Sequence, residues 1–153
     1  MAMRIHELTV VECRNVLNRA RHGRLGCARD NQPYVVPFFF YLDPAEDFLY
    51  SFSILGQKVE WMRLNPKVCV EVDEVVDRDN WTAVVAFGRY QELDDSSATA
   101  DARHRANELL QLHAAWWLPG GLKPDSAHER RTPLLYRIQI EQLTGRRATP
   151  DAG

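Results

Sequence analysis

Residues Phe48 to Glu74 read FLYSFSILGQKVEWMRLNPKVCVEVDE. The stretch reads as a strand, a short loop, a helix start and a second strand, and it decides the fold. Ser51 and Ser53 are two apart on the first strand, so their side chains leave on one face. Gly56 frees the backbone to turn into a helix beginning near Gln57, and Asn65-Pro66 breaks that helix after about Leu64. From Lys67 to Asp73, Val68, Val70 and Val72 alternate with Cys69 and Glu71, as a strand requires. The first N–H groups of a helix have no partner inside it and point at whatever anion lies ahead. Lys58 adds a full positive charge in the first turn, where the helix dipole disfavours a cation, so a bound anion relieves a local conflict. The corner formed by Ser51, Ser53, Gln57 and Lys58 is therefore suited to a phosphate. On composition alone, the same four residues also read as a polar turn with an exposed lysine.

Upstream, Thr9 and Glu12 form a capping-box pattern ahead of Cys13, Val16, Leu17 and Ala20, which recur at helical spacing, with Gly23 as the stop. Strands over Arg24 to Arg29, Tyr34 to Tyr41 and Phe48 to Ser53 follow, and the turns between them are short enough to force antiparallel pairing. Downstream, a polar loop over Glu74 to Asn80 leads to a long strand from Trp81 to Leu93, in which Gly88 marks a bulge or bend. Asp94, Asp95 and Ser96 offer N-caps for a helix running to about His113. An aromatic loop holding Trp116 and Trp117 comes next, then a last strand, Leu134 to Ile140, and a polar tail from Thr144 to Gly153 that frays unless a partner holds it. About six strands, mostly consecutive and hairpin-linked, with three helices favour a closed antiparallel barrel over a doubly wound sheet.

The 153 residues, 45% hydrophobic and 26% charged, fit one globular domain over the whole chain. A net charge of -2 argues against a general nucleic-acid binder, because duplex affinity rests on clustered cations. Cys13, Cys27 and Cys69 are odd in number and sit among apolar residues, as buried thiols in a reducing compartment do. With no charged-then-apolar leader and no apolar run of membrane length, a cytoplasmic location is expected, with no membrane partner. His6, His22, His104, His113 and His128 show no metal-ligand spacing, and no nucleophile elbow or Gly-rich phosphate loop occurs. Trp116 and Trp117 adjoin a Pro-Gly-Gly turn, where two large aromatics cannot both find core, so one is expected to meet a partner or ligand. Arg130, Arg131, Arg146 and Arg147 read as a solvated rim or as a subunit or ligand contact.

Four segments carry a resemblance: GRLGCARDNQPYVVPFFFYLD, the stretch quoted at the outset, WTAVVAFGRYQEL and LLYRIQIEQLTGRRA. In order and spacing they resemble the flavin-binding split-barrel family, within it the pyridoxamine 5′-phosphate oxidase-like proteins and the nitroimidazole-resistance subgroup, from about Val10 to Arg147. The resemblance implies a mostly β fold with α: a six-stranded antiparallel split β-barrel with flanking helices. It implies a flavin, FMN in the first place, with FAD, the deazaflavin F420 and haem as alternatives, the last disfavoured because no histidine follows Gln142. It places Ser51, Ser53, Gln57 and Lys58 at the flavin phosphate, and Val35, Val36, Pro37 and Phe38 along the ring. It implies a homodimer with the cofactor at the interface, where Trp116 or Trp117 would cover the ring from the other subunit. The activity it implies is hydride transfer through the flavin to or from a small molecule, the alternative being a binding or storage protein; no catalytic side chain stands out. Ser51 occupies the position at which the nitroimidazole-resistance subgroup carries a histidine, so nitro-drug reduction is not inherited. The ending, Thr144 to Pro150, departs from that of the vitamin B6 oxidases.

Overall fold

A computed structural model describes residues 2–112 and 133–151. In chain order the elements are β1 (Met3–Glu7), α1 (Val10–Ala20), β2 (His22–Arg29), β3 (Gln32–Phe39), β4 (Tyr41–Leu42), β5 (Phe48–Ser53), α2 (Gln57–Leu64), β6 (Lys67–Asp77), β7 (Asn80–Leu93), α3 (Ala100–Leu112) and β8 (Leu134–Pro150), with a 3-10 turn, Ser97–Thr99, ahead of α3. Every strand pairing is antiparallel. The sheet runs β3-β2-β6-β7-β8-β5-β4, and β1 adds to the edge of β8. Its hydrogen-bonded path is open, yet its two ends, β3 and β4, are consecutive in the chain with Phe40 alone between them. The circuit is completed through covalent chain at that bend. There the Phe40 amide donates to the Arg21 carbonyl at 3.0 Å.

The interior collects one face of β2, β3, β5, β6, β7 and β8. Leu25, Cys27, Phe38, Phe40, Leu49, Val68, Val70, Val72, Val84, Ala86, Tyr136 and Ile138 form one buried cluster, with Cys13, Val16 and Leu17 of α1 and Val59 and Met62 of α2 packed into it. A second cluster, Tyr41, Tyr50 and Leu93 with Ala106, Leu109 and Leu110, attaches α3 to the other side of the sheet. Burial of a Leu or Phe side chain contributes about 1.5–3 kcal/mol, so these two clusters outweigh the surface ion pairs. Arg14 fastens α1 to the β4–β5 turn through Asp47 at 2.7 Å and the Asp43 carbonyl at 3.0 Å.

The capping box is present: Thr9 accepts from the Glu12 amide at 3.2 Å, and the Thr9 amide donates to Glu12 at 3.1 Å. The stop is not Gly23. The helix ends at Ala20 and Arg21 takes the left-handed conformation, φ 54°, while Gly23 lies in β2 so close to β6 that a Cβ would strike the Glu71 carbonyl. The expected loop over Glu74 to Asn80 is shorter, because β6 and β7 stay paired out to Asp77 and Asn80. The tail expected to fray from Thr144 instead continues β8 to Pro150, held by β7 on one side and β1 on the other. Eight strands appear where six were expected, through the addition of β1 and the separation of Tyr41–Leu42 by the bend at Phe40.

At Gly88 the β7–β8 register shifts, as a bulge requires. A Cβ there would collide with the Gln139 carbonyl and lie 2.9 Å from Ile138 Cγ2. Gly88→Ala is therefore expected to lower unfolding stability by about 1–3 kcal/mol, the range for overpacking. Urea denaturation followed by circular dichroism measures it, and an unchanged midpoint would show that the two strands can separate freely.

Candidate functional site

The corner after β5 begins with two hydroxyls that the fold has already used. Ser51 and Ser53 are buried at 3% and 9% exposure, on the same side of β5. Ser51 donates to the Phe39 carbonyl at 2.5 Å and Ser53 to the Ile54 carbonyl at 3.0 Å. A hydroxyl has one proton to give, so in this arrangement neither donates to an anion. Gly56 precedes α2 in an extended conformation, φ -166°, that any residue adopts. What glycine contributes is space: a Cβ there would meet nothing nearer than the Ile54 carbonyl at 3.9 Å. No side chain caps α2, so its first amides remain available.

Lys58 is the unusual member of the set. It is half-buried in the first turn of α2 and makes no ion pair or hydrogen bond among the described residues. Burial pushes its pKa down from the usual lysine value, with the Cys27 thiol acting weakly in the other direction. Burial correspondingly pushes the Cys27 thiol up, assisted by Cys69 and opposed by Lys58. A cation removed from water without a partner is costly unless an anion arrives. Gln57 is exposed beside it and makes no side-chain hydrogen bond among the described residues. Lys58, Gln57 and the uncapped amides thus share one helix start. Deeper in the barrel, the fully buried Tyr136 lies beside Ser51, its hydroxyl has no hydrogen-bond partner among the described residues, and burial raises its pKa.

The second expected group divides between two faces of β3. Val35, 65% exposed, and Pro37 lie outside, Val36 is half-buried, and Phe38 is buried with its ring stacked 5.3 Å from that of Phe40. β3 ends the sheet, so among the described residues one of its edges has no strand neighbour. Trp116 and Trp117 lie outside the described residues.

Register places further residues on the outer face with Val35 and Pro37. One row runs Val35, Gly26, Cys69, Phe87, and the next runs Pro37, Arg24, Glu71, Val85, Thr144. Arg24 reaches Glu71 at 3.4 Å and Asp73 at 3.2 Å. Burial and then the neighbouring Asp73 raise the pKa of Glu71, against the pull of Arg24, and Glu71 Oε1 is buried without a hydrogen-bond partner among the described residues. Sequence reading missed this triad, although Glu71 and Asp73 at strand spacing on one face were its available signal.

A family model for pyridoxamine 5′-phosphate oxidase matches residues 9–147. The chain belongs to that family. Uncharacterized protein RA0666 of Rhizobium meliloti (strain 1021) is 39% identical over 144 residues, covering 90% of this chain and 91% of that protein. The crystal structure of an FAD-binding protein from Mesorhizobium loti is 40% identical and superposes with a TM-score of 0.77, covering 97% of this chain and 100% of the other. A candidate 5-nitroimidazole antibiotic resistance protein from Bacteroides thetaiotaomicron shares the fold, with a TM-score of 0.67 at 18% identity over 98% of this chain and 93% of the other. Among the described residues no helix is long and apolar enough to cross a membrane, and no group of histidine, cysteine and carboxylate side chains could hold a metal ion.

The isolated cation makes a prediction about the ligand-free protein. With the Lys58 pKa depressed by folding, the unfolded chain binds more protons between that lowered value and 10.5, so Lys58 destabilises the fold at neutral pH and the penalty fades as pH rises. Lys58→Met is expected to raise the thermal midpoint at pH ~7, near neutrality, with the advantage shrinking toward the ordinary lysine pKa of about 10.4. Melting curves of both proteins across that range decide it; a variant less stable at every pH would mean that Lys58 is satisfied as it stands.

Proposed function

We propose that this protein binds a flavin nucleotide at the corner between β5 and α2 and acts as a flavin-dependent oxidoreductase on a small molecule. The observation that carries the reading is Lys58, a half-buried cation with no counter-charge among the described residues, at a helix start that no side chain caps. The FAD-binding relative at 40% identity supports the same cofactor class. FMN is the form we assign, since a single phosphate near the ring is what this corner has donors for.

In this reading Lys58 and the first amides of α2 hold the phosphate, and Gln57 completes its rim. Ser51 and Ser53 lie behind it and support the bend through their bonds to the Phe39 and Ile54 carbonyls. The free edge of β3, from Val35 to Phe38, offers main-chain groups to the polar edge of the ring, while Val35 and Pro37 give it an apolar surface. When bound, a flavin supplies acceptance and return of a hydride, which no side chain of this protein supplies. The protein orients the cofactor and keeps water from it.

We also propose a homodimer formed through the outer sheet face. Val35, Val75 and Phe87 expose 65%, 66% and 45% of their surface there, which favours covering by a second copy.

Loss of a charge-assisted contact to phosphate is worth about 1.5–3 kcal/mol, so Lys58→Ala is expected to weaken flavin affinity by about ten- to a hundredfold. Quenching of flavin fluorescence on titration measures it, and equal affinity removes Lys58 from the site. Acid release and mass analysis of the cofactor from fresh protein separate FMN from FAD, and a colourless protein indifferent to both sinks the proposal. Anaerobic bleaching by NADH or NADPH is expected; a yellow protein that no reductant bleaches is a holder rather than an enzyme.

A further inference from the structure

Two flanks of α2 meet two different walls of the barrel. Its buried residues, Val59 and Met62, pack into the core. At 3.6 residues per turn, Lys58 and Arg63 are about 140° apart around the helix, and the stripe of Val59 and Met62 falls between them. Lys58 flanks the stripe on the side toward β2, where it and the Cys27 thiol influence each other. Asn65, which ends the helix on that side, donates to the Ala28 carbonyl of β2 at 3.1 Å. Arg63 flanks the stripe on the other side, toward β7.

There Arg63 forks onto Glu92: Nε donates to Oε1 at 2.7 Å and Nη2 to Oε2 at 3.1 Å. The Tyr90 hydroxyl also donates to Glu92 Oε1, at 2.8 Å, and the Tyr90 ring is buried in the core, 5.4 Å from that of Tyr136. The Arg63 guanidinium, and after it the Tyr90 hydroxyl, hold the Glu92 carboxyl below its ordinary pKa against the effect of burial, so the fork joins two full charges. Most exposed ion pairs contribute little, but a two-point fork fixes an angle as well as a distance. At the other end of α2 no side chain caps the helix. Among the described residues, polar side chains anchor the last turn of α2 and none anchors the turn that carries Lys58.

We propose that Glu92 is a positioning residue for the flavin phosphate, a role that rests on the flavin reading above: through Arg63 it sets the roll of α2, and so the depth at which Lys58 stands. Because Lys58 and Arg63 lie on opposite flanks of one buried stripe, the helix cannot lift one from its wall without pressing the other toward its own. With the fork removed, the cost of burying an unpaired cation turns α2 so that Lys58 moves toward water. Glu92 acts through Arg63 and the helix, not on the phosphate itself.

Flavin titrations of the full chain, with FMN and riboflavin as probes, form a double-mutant cycle of Glu92→Gln and Lys58→Ala. Glu92→Gln is expected to weaken FMN about three- to tenfold, the size of a coupling within one network, and to leave riboflavin, which has no phosphate, unchanged. Added to Lys58→Ala, it should cost FMN nothing further. Arg63→Gln removes the same fork from the helix side and should reproduce the effect, with melting curves to verify that each variant is folded. The ligand-free protein gives a second reading. The lysines of the chain are Lys58, Lys67 and Lys123, so the Lys58 NMR signal is assigned by its loss in Lys58→Ala. Its titration should move up toward the ordinary lysine value in Glu92→Gln. FMN affinity unchanged in Glu92→Gln and Arg63→Gln, equal losses for FMN and riboflavin, an additive loss in the double variant, or an unmoved Lys58 titration would each overturn this role while leaving the flavin at its corner. Equal FMN affinity of Lys58→Ala and the wild type removes that corner, and the role of Glu92 with it.

Discussion

The pairing of β7 with β8 is the constraint on which the rest of the structure depends. From Trp81 against Ala148 to Leu93 against Leu135 the two strands run side by side, and every other pairing of the sheet leads back to one of them, directly, through β6 and β2 on one side, or through β5 on the other. Because side chains alternate, this register decides which residues are inside. Val84 and Ala86 enter the core, and Trp81, Ala83, Val85 and Phe87 face outward. A slip by one residue would exchange those sets. The bulge at Gly88 absorbs the single irregularity, and the close approach of the Gln139 carbonyl leaves no room for a larger residue.

Much of the fold was legible because local signals agreed. Thr9 and Glu12 announced α1, Asn65-Pro66 ended α2, and the valines of β6 alternated as its buried residues do. The split-barrel class followed from these segments and from their resemblance to a known family. What escaped reading was structure created by pairing rather than by side-chain pattern. All five residues of β1 are exposed, so they carry no alternation, and the strand exists because β8 offers an edge. The same holds for Val75 to Asp77 and, apart from the buried Ala148, for Thr144 to Pro150, held in ladders by main-chain bonds.

At the site the position of Lys58 was readable and its environment was not. Sequence places a lysine in the first turn; only the fold shows it half-buried and, among the described residues, unpaired. The two serines show the reverse. Their spacing put both on one face, as found, but that face is the interior, and their protons serve main-chain carbonyls. The four residues from Val35 to Phe38, read as one wall, divide between the outside and the core, as alternation requires. The Arg24, Glu71 and Asp73 triad depends on the β2–β6 register, which links residues 47 and 49 apart in sequence.

The bend at Phe40 gives the molecule a seam. Here the last join runs through one residue, Phe40, held by its buried ring and its bond to Arg21, while Ser51 donates to the Phe39 carbonyl across the same join. The chain on one side carries the edge from Val35 to Phe38, and the chain on the other leads through β5 to Lys58, so these few bonds at Phe40 set the gap between the two.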